Sequence, residues 1–334
     1  MSAMAGERRF DVLGIGNAIV DVIAHAEDAF LAENRLAKGA MTLIDAARAE
    51  SLYARMGQAL ESSGGSAANT IAGIAALGGR GAFIGKVRDD QLGGIFRHDI
   101  RALGVAFDTA PAADGPPTAR CLIFVTPDAQ RTMQTFLGAS AALAPADIDE
   151  ATVAAAAVTY LEGYLWDPPA AKRAFEKAAA VAHGAGNLVA LTLSDPFCVD
   201  RHRADFLRLV EGHVDVLFAN EAEILSLYQA DDFDEALQRV RPHCRIAALT
   251  RSEKGSVVVA GDEVHVIDPV RVGPVVDTTG AGDLYAAGFL HGLTRGRELR
   301  ACGRMGSICA AEAISHVGAR PETPLAELVA REAG

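Results

Sequence analysis

The sequence predicts an α/β protein, a doubly wound and mostly parallel sheet with a small β lid beside it. Three observations carry this. From Gly81, and again after Leu143, short apolar runs alternate with helix-length segments, which is the rhythm of strand–helix units. Residues 105–137 break that rhythm and read as strands alone (AFDTA, TARCLIFV, RTMQTFL), cut by the turns ADGPP and PDAQ. Several apolar strands end on polar residues, at Asp195, Asn220 and Thr250, and an open parallel sheet collects its ligands at such ends. The expected division is a core of 1–16, 46–104 and 138–334, with 17–45 and 105–137 forming a discontinuous lid.

Composition narrows the class. With 334 residues, half of them hydrophobic, the chain is long enough for one large domain with a small appendage. The formal net charge is −12 and no long basic run occurs, which argues against nucleic acid or an anionic membrane as partner. Local amides and one or two cations are still enough to bind a phosphate. The five cysteines, Cys121, Cys198, Cys244, Cys302 and Cys309, form no Cys-x-x-Cys pair and are odd in number. That speaks against a disulfide framework or a zinc site and for a reducing cytoplasm. MSAMAGERRF lacks an apolar signal core and no apolar run reaches spanning length, so the chain reads as a cytoplasmic protein without a membrane partner.

Taken in order, 10–15 is an apolar strand running into Gly14-Ile15-Gly16-Asn17. A dinucleotide fingerprint would need a third glycine where Ile19 stands, and a helix where the β-rich AIVDVIAHA follows, so a Rossmann site is rejected. Asp21 is the one carboxylate in that second strand; it is either a solvated edge charge or an acceptor for a diol. A helix is expected over 45–60, with Asp45 as its cap. Gly64-Gly65-Ser66-Ala67-Ala68-Asn69 then opens another helix; the glycines allow close approach to a ligand, and Asn69 lies one turn in. Arg131 sits at a turn of the β-only insert, where it is either solvated or placed to swing over a phosphate. SVVVAGDEVHVI reads as a hairpin turning at Gly261-Asp262.

Asn220-Glu221-Ala222-Glu223 has the form of a helix capping box. The stretch VVDTTGAGDLYAAGFLHGL, 275–293, is the most informative. Small residues at a helix start leave backbone N–H groups bare at the positive end of the helix dipole, an anion site. Asp283 planted there either complements the dipole or takes a proton from an attacking hydroxyl, while Gly280, Ala281 and Gly282 hold the charge on a phosphoryl group.

The spacing D-T-T-G-A-G-D resembles the C-terminal signature of the ribokinase-like, PfkB-type carbohydrate and nucleoside kinases, and GGSAAN resembles their N-terminal Gly-Gly-x-x-x-Asn. The motifs occur in the family's order over nearly the whole chain. The resemblance implies a ribokinase-like fold and transfer of the γ-phosphoryl of ATP to a hydroxymethyl group. It assigns Asp283 as base, Gly280–Gly282 as anion hole, and Asn17, Asp21, Gly64, Gly65 and Asn69 as acceptor contacts. It places Asn220, Thr250, Ser252 and Gly255 at ATP and Glu223 at magnesium through water; Ser252 stands where the family's loop has glycine. Asp277 and Thr279 fall where some members bind a monovalent cation such as potassium. GNAIVDV and QRTMQTFLGA resemble adenosine kinases more than ribokinase or fructokinase, which implies a base slot near Tyr164, Phe197, Met41 and Leu137. Tyr164 and Phe197 also read as core aromatics. Expected partners are ATP and a nucleoside or sugar, and both a monomer and a homodimer remain open.

Overall fold

The structure, a computed structural model, describes residues 8–128 and 130–332. The chain opens with β1 (Phe10–Ile15), β2 (Ile19–His25), α1 (Asp28–Glu33) and β3 (Met41–Leu43). It continues through α2 (Ala46–Tyr53), β4 (Leu60–Gly64), α3 (Ser66–Ala76), β5 (Gly81–Ile84) and α4 (Gln91–Ala102). The strands β6 (Ala119–Val125) and β7 (Arg131–Phe136) follow as an antiparallel pair.

Strand–helix units then take over: α5 (Glu150–Ala154), β8 (Ala156–Glu162), α6 (Pro169–Gly184), β9 (Leu188–Thr192), α7 (Pro196–Gly212) and β10 (Val216–Asn220). They run on through α8 (Glu221–Tyr228), α9 (Phe233–Val240), β11 (Ile246–Thr250), and the hairpin β12 (Ser256–Ala260) and β13 (Glu263–Ile267). Three helices close the chain: α10 (Ala281–Thr294), α11 (Leu299–Ala313) and α12 (Leu325–Glu332).

The large sheet has eight strands in the order β13-β12-β11-β10-β9-β8-β1-β5, parallel from β11 to β5. Alternate residues of its strands feed two cores. Val12, Tyr160 and Phe218 pack on one face with Ile71, Leu284, Phe289 and Ile308 of α3, α10 and α11. Leu13, Leu161 and Leu217 pack on the other with Phe175, Phe206, Ile224 and Leu237 of α6 to α9. Helices on both faces make the sheet doubly wound, as the alternating pattern requires.

The small sheet has the order β3-β7-β6-β2-β4. Val20, Val22, Leu122 and Phe124 face α1 and α2. The opposite face carries Ile19, Ile23, Cys121, Ile123 and Met133 and looks toward the core. Two local expectations fail. The helix starting after Asp45 stops at Tyr53, and 60–64 is strand β4, pairing antiparallel with β2 through Asp21↔Ser62. It thus extends the small sheet with residues that the sequence assigned to the core. AFDTA is no strand of that sheet; Ala106 bridges Ala82 at the edge of the large one, and Phe107 packs against Phe83 and Phe96.

Candidate active site

The order in which strands are added reverses at β1: β5 lies on one side of β1, and β8, β9, β10 and β11 step away on the other. A crevice opens at such a switch point. Asn17 leaves the end of β1 there and Glu162 ends β8. The Asn17 side-chain amide donates to Glu162 Oε1 at 2.6 Å, and both the Asn17 backbone (3.3 Å) and Ala67 N–H (2.9 Å) donate to the same carboxylate. Asn17 Oδ1 accepts from Ser140 Oγ at 2.8 Å. Asn17 is therefore fixed by Glu162 and Ser140 at the cavity wall, and one N–H of its side-chain amide takes no protein acceptor. Burial pushes Glu162 up to about 7, against the stabilising Ala67 amide and Asn17. Glu162 was missed from sequence, although the strand-end argument that singled out Asn220 and Thr250 applies to it equally.

Gly65 precedes α3 with φ +99, and a side chain there would run into the Asn17 carbonyl. This close approach sets Ser66 and Asn69 against α10. Ser66 Oγ donates to Asp283 Oδ1 at 2.6 Å, and Asn69 Nδ2 donates to Oδ2 at 3.1 Å. The two glycine-rich motifs, far apart in sequence, thus meet at one carboxylate. Asn69 Oδ1 is buried without a partner. Burial raises Asp283, and the hydrogen bonds from Ser66 and Asn69 and the charge of Arg320 oppose that rise.

Gly280 caps α10 with φ +78, and a Cβ there would meet Ala319 Cβ at 2.6 Å. The left-handed cap turns the amides of the first turn outward. Those of Gly282 and Asp283 take no backbone acceptor, and nothing lies within 4 Å of the Gly282 Cβ direction. Bare donors facing open space beside a carboxylate is the arrangement that receives an anion.

Arg131 is not a solvated turn residue. It starts β7, and its Nη1 donates to Asp277 Oδ2 at 2.5 Å, with the two side chains only 7% and 10% exposed. Asp277 also accepts from Thr279 N–H (3.0 Å), Thr279 Oγ1 (2.7 Å) and Gly318 N–H (3.0 Å). Burial works to raise its pKa, but these donors and Arg131 outweigh it and hold the carboxyl below its ordinary range. Four donors surround this carboxylate, so the monovalent cation implied for Asp277 and Thr279 does not fit their side chains in this arrangement.

Asp21 projects from β2 into the same space, and a side chain on Gly64 would collide with it. Burial lifts Asp21 to about 6, while Arg320 and Arg131 pull it down and Asp283 adds to the rise. Arg320, which sequence reading did not single out, donates to Ala68 O (3.1 Å), Ser63 O (2.6 Å) and Ser63 Oγ (3.0 Å). No local pattern marks it; it is one arginine in a Gly-Ala-Arg-Pro turn.

Asn17, Asp21, Asn69, Arg131, Glu162, Asp283 and Arg320 line one cavity of about 1640 Å³, shared by the lid face and the strand ends. Tyr164, Met41 and Leu137 also line it, as does Phe197, which is 76% exposed at the start of α7. Neither aromatic belongs to the core clusters. At the far end stand Asn220, Thr250, Ser252 and Gly255. Asn220 and Glu223 form a full capping box: Asn220 Nδ2 donates to Glu223 Oε1 at 2.6 Å, and Glu223 N–H donates to Asn220 Oδ1 at 2.9 Å. Burial pushes Glu223 up to about 7, against the Asn220 amide, with Asp195 adding to the rise. Ser252 takes φ +51, the left-handed region that favours glycine, at the position where the family's loop has one. Among the described residues no group of three metal-type ligands exists. The carboxylates of Glu223 and Asp195 fit a magnesium ion that arrives on phosphate and keeps several of its waters.

An α/β phosphotransferase acting on small molecules is the class that this fold and site define. Residues 36–326 match the pfkB family of carbohydrate kinases, and the chain belongs to that family. It is 56% identical to the solved adenosine kinase from Sinorhizobium meliloti, with a TM-score of 0.89 over 98% of this chain and 100% of that one. A solved probable sugar kinase from Rhizobium etli CFN 42 is 55% identical, with a TM-score of 0.89 over 97% and 98% of the two chains. Adenosine kinase from Saccharomyces cerevisiae is 28% identical over 326 residues, which is 91% of this chain and 94% of the yeast protein. Family membership implies ATP as co-substrate, usually with magnesium. Among the described residues no helix is long and apolar enough to cross a membrane.

Proposed function

We propose that this kinase transfers the γ-phosphoryl of ATP to the 5′-hydroxyl of adenosine, giving AMP and ADP. The observation that carries the reading is the convergence of both glycine-rich motifs on Asp283. The carboxylate is held by Ser66 and Asn69 and stands beside the unpaired amides at the start of α10. In this reading Asp283 accepts the proton of the attacking hydroxyl, and the Gly280–Gly282 turn stabilises charge on the transferring group. Asn69 Oδ1 and the Asp21 carboxylate are free acceptors, and ribose hydroxyls are the donors they fit. Asn17 and Gly65 act through shape, by fixing the turn against which the sugar lies. Arg131 exchanges Asp277 for a phosphate oxygen when ATP is bound.

The acceptor is argued from the lid. Ile19, Ile23, Ile123, Met133, Met41 and Leu137 give the cavity an apolar ceiling, with Tyr164 and Phe197 along the wall. A purine has flat apolar faces to cover such a surface, and a free hexose or pentose does not. The likeness to adenosine kinases agrees with this. In this reading Asn220, Thr250, Ser252 and Gly255, which line the cavity, contact the nucleotide. Magnesium supplies charge neutralisation between the phosphates when bound, and Glu223 reaches it through water.

The test is kcat/KM for adenosine, inosine, ribose and fructose with magnesium and ATP. Adenosine should lead by at least about tenfold, a gap of the size one well-filled pocket provides. Preference for a free sugar would replace this reading with the sugar-kinase one, which the likeness to the Rhizobium etli protein favours.

A further inference from the structure

Arg320 lies in the turn between α11 and α12, outside every motif discussed above. Its guanidinium is anchored on backbone and side-chain oxygens of two separate elements. Nη2 donates to Ser63 O and Oγ at the end of β4, and Nη1 donates to Ala68 O in the first turn of α3. Ser63 is itself fixed from α4, since its N–H and Oγ donate to Asp99 Oδ2 at 2.7 and 2.6 Å. The β4–α3 junction between these anchors is the Gly64-Gly65-Ser66 turn that meets Asp21 and Asp283. Arg320 Nε is buried without a partner. The turn is also held from behind: Glu312, fully buried, accepts from Glu322 N–H and Thr323 N–H at 2.9 Å each.

We propose that Arg320 is a positioning residue for phosphoryl transfer, clamping the glycine turn and serving as the fixed counter-charge shared by Asp21 and Asp283. This rests on reading Asp283 as the base. Two carboxylates facing one cavity repel each other, and one of them takes up a proton unless a cation stands by. The charged and titratable groups around Asp283 are Asp21 on β2, Glu162, Tyr160 and Tyr164 from β8 and the turn after it, and Arg320. Arg320 lines the same cavity as Asp21 and Asp283 from its anchors on Ser63 and Ala68, and its charge acts on both, while these two carboxylates together with Asp99 support its own charge. Arg131 acts on Asp21 but is hydrogen-bonded to Asp277.

The experiment is a carbon-detected NMR titration of the Asp283 carboxyl in the ligand-free enzyme, with wild type, Arg320→Lys, Arg320→Met and Arg320→Gln. Arg320→Met should move the Asp283 midpoint up by about one pH unit or more. Its kcat/KM at the acid end should fall about tenfold further than at the alkaline end. Arg320→Lys keeps the charge and loses the fork, so the midpoint stays near wild type while KM for the acceptor rises. Should Arg320→Met not fold, Arg320→Gln serves: it keeps an amide donor for the Ser63 oxygens but no charge, and the midpoint should again rise. An unmoved midpoint in either variant overturns the counter-charge, and an unchanged acceptor KM in Arg320→Lys overturns the clamp. These titrations need no turnover. If Asp283→Ala keeps full activity, the base reading fails while the titration still stands on its own.

Discussion

At Asp283 burial disfavours the anion, while Ser66, Asn69 and Arg320 favour it. The balance leaves a carboxyl more basic than an exposed aspartate, which suits removal of a proton from an alcohol. Asp283→Ala should lower kcat by about 10²–10⁴-fold with little change in the KM for ATP, as read from steady-state kinetics. A variant turning over like wild type would remove Asp283 from the chemistry. The Arg131–Asp277 pair gives a second test, because its two partners are not equivalent. Removing Arg131 leaves Asp277 with Thr279 and Gly318. Removing Asp277 leaves a guanidinium that is nearly buried and has lost that acceptor. Asp277→Ala should therefore cost about 3–5 kcal/mol in denaturant unfolding and Arg131→Ala less, about 1–3 kcal/mol. The reverse order would mean that the pair does not fix this loop.

Two helix starts decide the geometry at the next scale up. The left-handed cap at Gly280 is packed against Ala319, so Gly280→Ala adds both a strained φ and a clash. It should cost about 1–3 kcal/mol in denaturant unfolding and lower kcat through the displaced first turn of α10. Full activity in that variant would show that the turn's exact path is irrelevant. The second start is the capping box of α8. Glu223 has a folded pKa near 7, raised from 4.5 chiefly by burial. Its proton is thus held more tightly in the folded state, and its contribution to stability is fully present below pH 4.5 and lost as pH rises through about 7. Glu223→Gln is neutral throughout. Wild type should therefore lose stability relative to this variant as pH goes from about 5 to 8 in metal-free buffer. A gap independent of pH would contradict the raised pKa. At this scale the sequence misled twice. LESSG carries no apolar alternation that would mark a strand, and only pairing with β2 makes it β4. AFDTA alternates well enough but finds its partner on the large sheet.

Across the whole molecule, the cavity exists because a second sheet, entered after β1 and again before β6 and left after β4 and after β7, stands over the switch point of the first. Met41, Leu43 and Leu60 are exposed large apolar residues on that sheet. A lid that shuts on an acceptor would bury such surface and slow exchange. Saturating adenosine should slow hydrogen exchange in β2, β4, β6 and β7 while leaving β9 to β11 unchanged; equal exchange with and without it would rule out closure over this acceptor. The alternation of strand and helix, the β-only insert and the two glycine-rich helix starts were legible in the chain, because each depends on residues a few positions apart. So was the placing of Asp283 in the first turn of a glycine-capped helix, which needs only its own turn. The tertiary structure alone decided that Ser66 and Asn69 hold that carboxylate and that Glu162 engages Asn17. It also decided that Arg131 is tied to Asp277 and that a single arginine in a Gly-Ala-Arg-Pro turn stands behind the site. These partners are 145 to 257 positions apart, and hydrogen bonds between distant residues leave no periodicity in a sequence; only packing two sheets around one crevice brings their donors and acceptors within reach.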